Sequence, residues 1–127
     1  MNPIAEIDEC RSLFLTDIQE TGGNSLRLVV EEGQPDGTRD GRVFEIVWDF
    51  YVGYSVLNET FVQANDEEVC EGRRFRIYSK SHFLAYMACA SFASEEHPGP
   101  TRHYRVACED HIVDVLSTAA PSVRKLR

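Results

Sequence analysis

The segment from Val43 to Val56 constrains the fold more than any other part of the chain. Phe44, Ile46, Trp48, Phe50, Val52, Tyr54 and Val56 all occupy even positions. The odd positions hold Val43, Glu45, Val47, Asp49, Tyr51, Gly53 and Ser55, a more polar set. Apolar side chains at every second residue line one face of a β-strand and scatter around a helix. A single straight strand of that length would run roughly 46 Å at about 3.3 Å per residue. The whole chain has 127 residues, which suits one domain spanning 1–127. A strand that long does not fit such a domain, so a sharp bend or a break is expected near Asp49–Gly53.

Other segments read more locally. Asn2 before Pro3 is a helix-start signal, and Ile4, Ile7, Phe14 and Ile18 fall at helical spacing. Gly22-Gly23 is a stop signal, so helix one is expected at about 3–20. Leu26, Leu28 and Val30 alternate as a half-buried strand. The turn-rich stretch 33–41 should join it to the next strand as a hairpin. The polar stretch 63–72 reads as a loop, and Phe75 and Ile77 as a strand. Ser79 or Ser81 should cap a second helix running to about Ala93, with Phe83, Leu84, Met87, Ala88 and Phe92 on its packed side. Glu95 to Pro100 breaks it.

The last hairpin can be read in register. Glu109-Asp110 as a two-residue loop pairs 108 with 111, 106 with 113 and 104 with 115. Tyr104, Val106, Cys108, His111, Val113 and Val115 would then share the core face. Arg105 would fall opposite Asp114 on the other face, a favourable cross-strand pair. The order α-β-β-β-β-α-β-β makes this an α+β chain: a mainly antiparallel twisted sheet of about five to six strands with two helices.

Charge narrows the partners. There are 13 Lys and Arg against 21 Asp and Glu, a net charge of -8. Residues 1–71 carry -12 of it and residues 72–127 carry +4. An acidic chain is a poor ligand for nucleic acid or an anionic membrane. No run of about 18 apolar residues predicts a membrane span. The start Met1-Asn2-Pro3-Ile4-Ala5-Glu6 lacks the basic and apolar regions of a signal peptide. Cys10, Cys70, Cys89 and Cys108 include no CxxC pair, so reduced thiols in a cytoplasmic protein are expected.

Motifs for chemistry are thin. No zinc, calcium, P-loop or dinucleotide spacing occurs, and His97, His103 and His111 do not form a ligand motif, so no cofactor or metal is expected. Cys108, His111 and Asp114 could be assembled into a nucleophilic site, since Cys beside His is the minimum for an activated thiolate. The favoured reading is that Cys108 is a small core side chain and His111 a hairpin-end residue, since a free cysteine is usually buried and inert. Arg73, Arg74 and Arg76 form one basic cluster, read as answering the protein's own acids. The acids themselves are the leading candidate. Glu45, Asp49 and Tyr51 lie on the odd face of the long β segment, followed by Glu59, Asp66, Glu67 and Glu68. Carboxylates interleaved with an aromatic suit a basic protein surface, with the aromatic as anchor and the charge as steering. The alternative is a small enzyme or ligand-binding domain. Its pocket would lie between the second helix and the sheet, lined by Tyr54, Tyr86, Tyr104, Cys108 and His111. Exposed strand edges also leave homo-oligomer formation open.

Three runs carry a resemblance: Trp48 to Glu59, Ser81 to Tyr86, and His103 to Cys108 with Asp110 to Leu116. Together they resemble a family of small bacterial proteins of the kind found among immunity proteins of toxin systems. The resemblance covers about residues 43–123. It implies a stoichiometric inhibitor that binds and blocks a cognate toxin, and it carries over no catalytic residue.

Overall fold

The structure is a computed structural model that describes residues 2–63, 65–91, 93 and 96–127. Helix α1 (Pro3–Glu9) leads into β1 (Leu13–Gly22), β2 (Ser25–Glu32), β3 (Val43–Trp48) and β4 (Gly53–Asn58). A 3-10 turn (Glu59–Phe61) follows, then β5 (Val69–Glu71), β6 (Phe75–Lys80) and helix α2 (His82–Ala90). The chain closes with β7 (Arg102–Ala107), β8 (His111–Ser117) and β9 (Ser122–Lys125). The fold is α+β, with its strands in two antiparallel sheets. One has the order β1-β2-β3-β9 and the other β4-β8-β7-β6-β5. The expected single sheet of five to six strands is therefore two sheets, with three strands (β1, β5, β9) that the periodicity did not reveal.

The period-two segment breaks where its length requires. β3 ends at Trp48 in the first sheet, and β4 starts at Gly53 in the second. Residues 49–52 cross between them. Ser25 Oγ donates to the Asp49 carbonyl (2.9 Å) and Tyr51 N–H to Asn24 (2.9 Å), which ties the crossing to the first sheet. Ser117 Oγ donates to the Phe50 carbonyl (2.7 Å) and Val52 N–H to Leu116 (2.7 Å), which ties it to the second.

Because consecutive strands sit in different sheets, the inner faces confront one another. Leu26, Leu28, Val30, Phe44, Ile46 and Trp48 come from the first sheet, and Phe75, Tyr104, Val106, Val113 and Val115 from the second. Trp48 meets Tyr104 with ring centres 5.8 Å apart. Ile7 of α1 and Cys10 close one side of this core.

Helix one is shorter than the spacing suggests. The Asn2 cap holds, with its side chain accepting from Ala5 N–H (2.8 Å). Beyond Cys10 the chain becomes β1 and pairs with β2. Phe14 and Ile18 match a helical spacing by coincidence, and tertiary pairing decides the conformation. A helix there would leave one edge of β2 without partners. The two glycines serve a hairpin instead of a helix end. Gly22 faces Ser25, and Gly23 and Asn24 both have positive φ (63° and 60°), as a tight hairpin turn with the twist of its strands requires.

Helix α2 starts at the expected Ser81 cap. It lies on the outer face of the five-stranded sheet, where Phe83 packs edge-on to His103, and none of its residues is fully buried. Phe92 and Glu95, assigned from sequence to this helix and its break, lie outside the described residues. The last hairpin has the expected register: Tyr104 faces Val115, Arg105 faces Asp114 and Val106 faces Val113. His111 departs from the expected core face and is exposed at the hairpin end.

Arg42 joins α1 to β2. Its guanidinium reaches Glu32 (2.9 Å) and Glu9 (3.1 Å). The hydrogen bonds from Arg42 pull the Glu32 carboxyl from 4.5 down to about 2, against the opposing effect of burial. A carboxyl lowered on folding contributes stability that is complete above its unfolded value and lost as pH falls through the folded one. The urea midpoint should therefore drop between pH 4.5 and about 2. Glu32→Gln should drop less over that range, so the two curves should converge in acid. In the core, Phe44→Ala should cost about 3–5 kcal/mol in denaturant unfolding. Val56→Ala, on an exposed position, should stay within about 0.5 kcal/mol.

Candidate functional site

The acids expected to form one face lie on two. Glu45 sits on the outer face of the four-stranded sheet, between cations from both neighbouring strands. Arg27 Nε of β2 bonds it at 2.6 Å and Arg124 Nη2 of β9 at 3.0 Å. These bonds hold its carboxyl below the usual range, with the Arg27 bond the larger cause. Glu45 is thus neutralised within the protein. Asp49 is exposed at the end of β3. Tyr51 is committed elsewhere: its hydroxyl donates to Glu20, and that bond pushes the phenol up to about 12. Tyr54 donates to the same carboxylate (3.1 Å), and its ring meets Tyr51 edge-on at 4.9 Å.

The second group lies on the segment that crosses the outer face of the five-stranded sheet. Glu59 opens the 3-10 turn, and Asp66 and Glu67 are exposed beyond it. Glu68 is half-buried and accepts from His82 N–H (2.9 Å) at the start of α2. Among the described residues no cation pairs with Glu59, Asp66, Glu67, Glu68 or Glu71. Large apolar side chains stand exposed beside them: Phe61 at 73% and Val69 at 53%.

The alternative pocket residues do not converge. Tyr104 is in the core between Trp48 and Phe75. Tyr86 projects from α2 at 63% exposure. Tyr54 faces Glu20, Cys108 is buried at the end of β7, and His111 is exposed. Helix α2 lies on the outer face, whereas Tyr104 points into the core, so these five residues do not line one pocket among the described residues. Cys108 and His111 are neighbours through a main-chain bond (Cys108 N–H to His111, 3.0 Å). Burial pushes the Cys108 thiol up to about 12, away from the thiolate that nucleophilic chemistry needs. Asp114, the third member of that grouping, lies on the opposite face.

Two features were not foreseen. The first is a buried polar chain on the outer face of the five-stranded sheet. Ser81 Oγ accepts from Leu84 N–H (3.1 Å), which leaves its own hydrogen for His103 Nδ1 (2.7 Å). His103 Nε2 then donates to Asp114 Oδ1 (2.6 Å), and Arg105 Nε donates to the same oxygen (2.7 Å). Burial alone would raise the Asp114 carboxyl, but the bonds from His103 and Arg105 outweigh it and hold it low. Tyr78 stacks on the imidazole at 4.5 Å. Serine, histidine and aspartate in this order resemble a hydrolytic relay. Here the serine is buried beneath the helix that it caps, and the chain fastens α2 to the sheet. Only the Arg105–Asp114 pair was legible in the sequence.

The second is a cleft of about 520 Å³ between segment 59–68 and the sheet. Its floor carries Arg74, Arg76 and Arg105, with Glu59, Asp66 and Glu68 on its walls. Arg76 and Arg105 face each other directly across β6 and β7. Among the described residues the guanidinium groups of the basic cluster form no ion pair with an acid. Arg74 donates to the carbonyls of Cys10 and Arg11, and Arg76 to the Arg73 carbonyl and the Tyr78 hydroxyl. One acid does hold the segment: Asp8 Oδ1 accepts the backbone N–H groups of Arg73, Arg74 and Phe75 (3.2, 2.8 and 2.8 Å).

Among the described residues no three His, Cys, Asp or Glu side chains form a group able to hold a metal ion. No helix of the described residues is long and apolar enough to cross a membrane. The chain matches no family model, no curated protein and no solved structure.

The thiols give a direct check of the site geometry. Cys70 and Cys89 are exposed, whereas Cys10 and Cys108 are buried, with thiols pushed up to about 11 and about 12. Alkylation of the native protein, followed by mass spectrometry, should label Cys70 and Cys89 first. Early labelling of Cys108 would revive a reactive-thiol site.

Proposed function

We propose that this chain is a non-enzymatic protein-binding module, an immunity-type inhibitor that engages a basic partner, such as a cognate toxin, through the segment Glu59–Glu71. One observation carries the reading. On α1 and the four-stranded sheet the protein answers several acids with its own arginines and lysines: Glu45 with Arg27 and Arg124, Glu6 with Lys125, and Glu31 with Arg127. Along 59–71 the carboxylates have no such partner among the described residues. Exposed Phe61 and Val69 supply apolar contact area beside them. An unanswered negative patch raises the encounter rate with a cation-rich protein, and nuclease toxins are cation-rich because they hold nucleic acid. Glu45 and Tyr51 drop out of the interface, since their charge and hydroxyl are already engaged. A cytoplasmic setting belongs to the same proposal and is supported by four free cysteines.

A second reading, a ligand-binding domain, draws on the cleft. Arg76 opposite Arg105 is a like-charge pair that costs energy unless an anionic group lies near. Asp114 answers Arg105 but not Arg76.

Charge reversal distinguishes the first reading. A partner captured on the immobilised chain should associate more slowly as added salt shortens the Debye length from about 30 Å to about 8 Å. Replacing Glu59, Asp66 and Glu67 together by Lys should cut the association rate by at least about tenfold, whereas Glu45→Gln should change it little. An association rate indifferent to both salt and the triple reversal overturns the reading.

A further inference from the structure

Two open sheets have four edge strands, and an open edge invites another chain unless something blunts it. Three of the four are blunted. β1 carries Asp17 and Glu20 and breaks register twice. β9 carries Arg124 and Lys125. β5 is three residues long, irregular and ends in Glu71. β4 has none of these devices. Its sequence Gly53-Tyr54-Ser55-Val56-Leu57-Asn58 contains no charge and no proline, and it pairs with β8 in unbroken register. Val56 and Leu57 are 44% and 41% exposed on it.

The hydrogen-bond phase shows which groups are open. Cys108 N–H bonds the carbonyl of His111, so the odd residues of β8 face β7 and the even ones face β4. Glu59 N–H bonds Asp110, which continues the same phase on β4. Ser55 and Leu57 therefore exchange bonds with Asp114 and Ile112, whereas Tyr54 and Val56 turn their main-chain N–H and C=O outward. No bond among the described residues reaches those outward groups.

Charge indicates the occupant. Glu59 and Asp110 border the Asn58 end of β4, and Glu20, bonded to Tyr54, borders the other. A second copy laid antiparallel would set carboxylates against carboxylates. A strand with cations at its ends would be attracted at both. We propose that β4 is the edge onto which a β-strand of the partner adds, apolar in its middle and basic at its ends, so that main-chain bonds supply affinity and the flanking carboxylates select charge. The inference rests on the basic-partner reading above and specifies how that partner docks.

The test is amide hydrogen exchange of the full chain, resolved by NMR, with a capped six-residue peptide of alternating valine and threonine bearing lysine at both ends. At millimolar concentration it should slow exchange at Val56 about tenfold or more, while the same peptide with glutamate ends should not. Val56→Pro removes an outward N–H that β8 does not use, and Val56→Lys adds a charge to an exposed position. Each should abolish protection while leaving the melting curve close to wild type, and a fold lost only in the proline variant leaves the lysine variant to decide. Absence of protection overturns the proposal, as does equal protection by the glutamate peptide. Protection that rises with protein concentration alone would assign the edge to a second copy and overturn it too. If the lysine peptide shifts resonances of Glu59–Glu71 without protecting Val56, the docking edge is wrong and the basic-partner reading survives.

Discussion

The structure turns on the crossing at residues 49–52. One period-two segment supplies an interior strand of the first sheet and an edge strand of the second. That division places Trp48 opposite Tyr104 and makes both inner faces into one core. It also sets how the outer faces are used. Gly53, where the second sheet begins, lies against Met87 of α2: a Cβ there would come within 2.8 Å of the methionine methyl. Helix α2 therefore covers this end of the sheet, and the segment after β4 must cross the remaining part.

The uneven charge is largely an intramolecular arrangement. The acidic first half meets the basic end of the chain through β9 and the residues after it: Arg124 at Glu45, Lys125 at Glu6, Arg127 at Glu31. Each such exposed pair is worth at most about 1 kcal/mol. Their larger consequence is that the outer face of the first sheet is close to neutral. Among the described residues, five carboxylates without an ion pair follow one another along Glu59–Glu71, on the other sheet and next to the unblunted edge. Acid and edge lie together because the chain passes directly from β4 into the 3-10 turn.

The polar chain from Ser81 to Arg105 shows how a sheet face can hold a buried charge. Asp114 is almost fully buried, yet it accepts bonds from an imidazole and from a guanidinium. A carboxylate without those donors would cost several kcal/mol there. Because Ser81 caps α2 and bonds His103 at once, the helix start and the sheet are specified by one set of hydrogen bonds. The arginine floor of the cleft is its counterpart: Arg76 lies opposite Arg105, and of the three guanidinium groups only that of Arg105 is paired with a carboxylate among the described residues.

By itself the sequence determined the local features whose cause lies within a few residues. These are the break near 49–53, the Asn2 and Ser81 caps, the β2–β3 hairpin and the register that puts Arg105 opposite Asp114. Each follows from side-chain alternation, a capping oxygen or a short turn, and none needs a distant partner. Only the tertiary structure decided the rest. Residues 13–22 became strand because β2 needed an edge partner, although their spacing also fits a helix. β9 became strand because β3 had an open side. Glu45 and Asp66 resemble each other in sequence, but one lies between two arginines and the other makes no ion pair among the described residues. Burial, pairing and charge neutralisation depend on residues far apart along the chain, so the surface left for a partner became visible only once those contacts were in place.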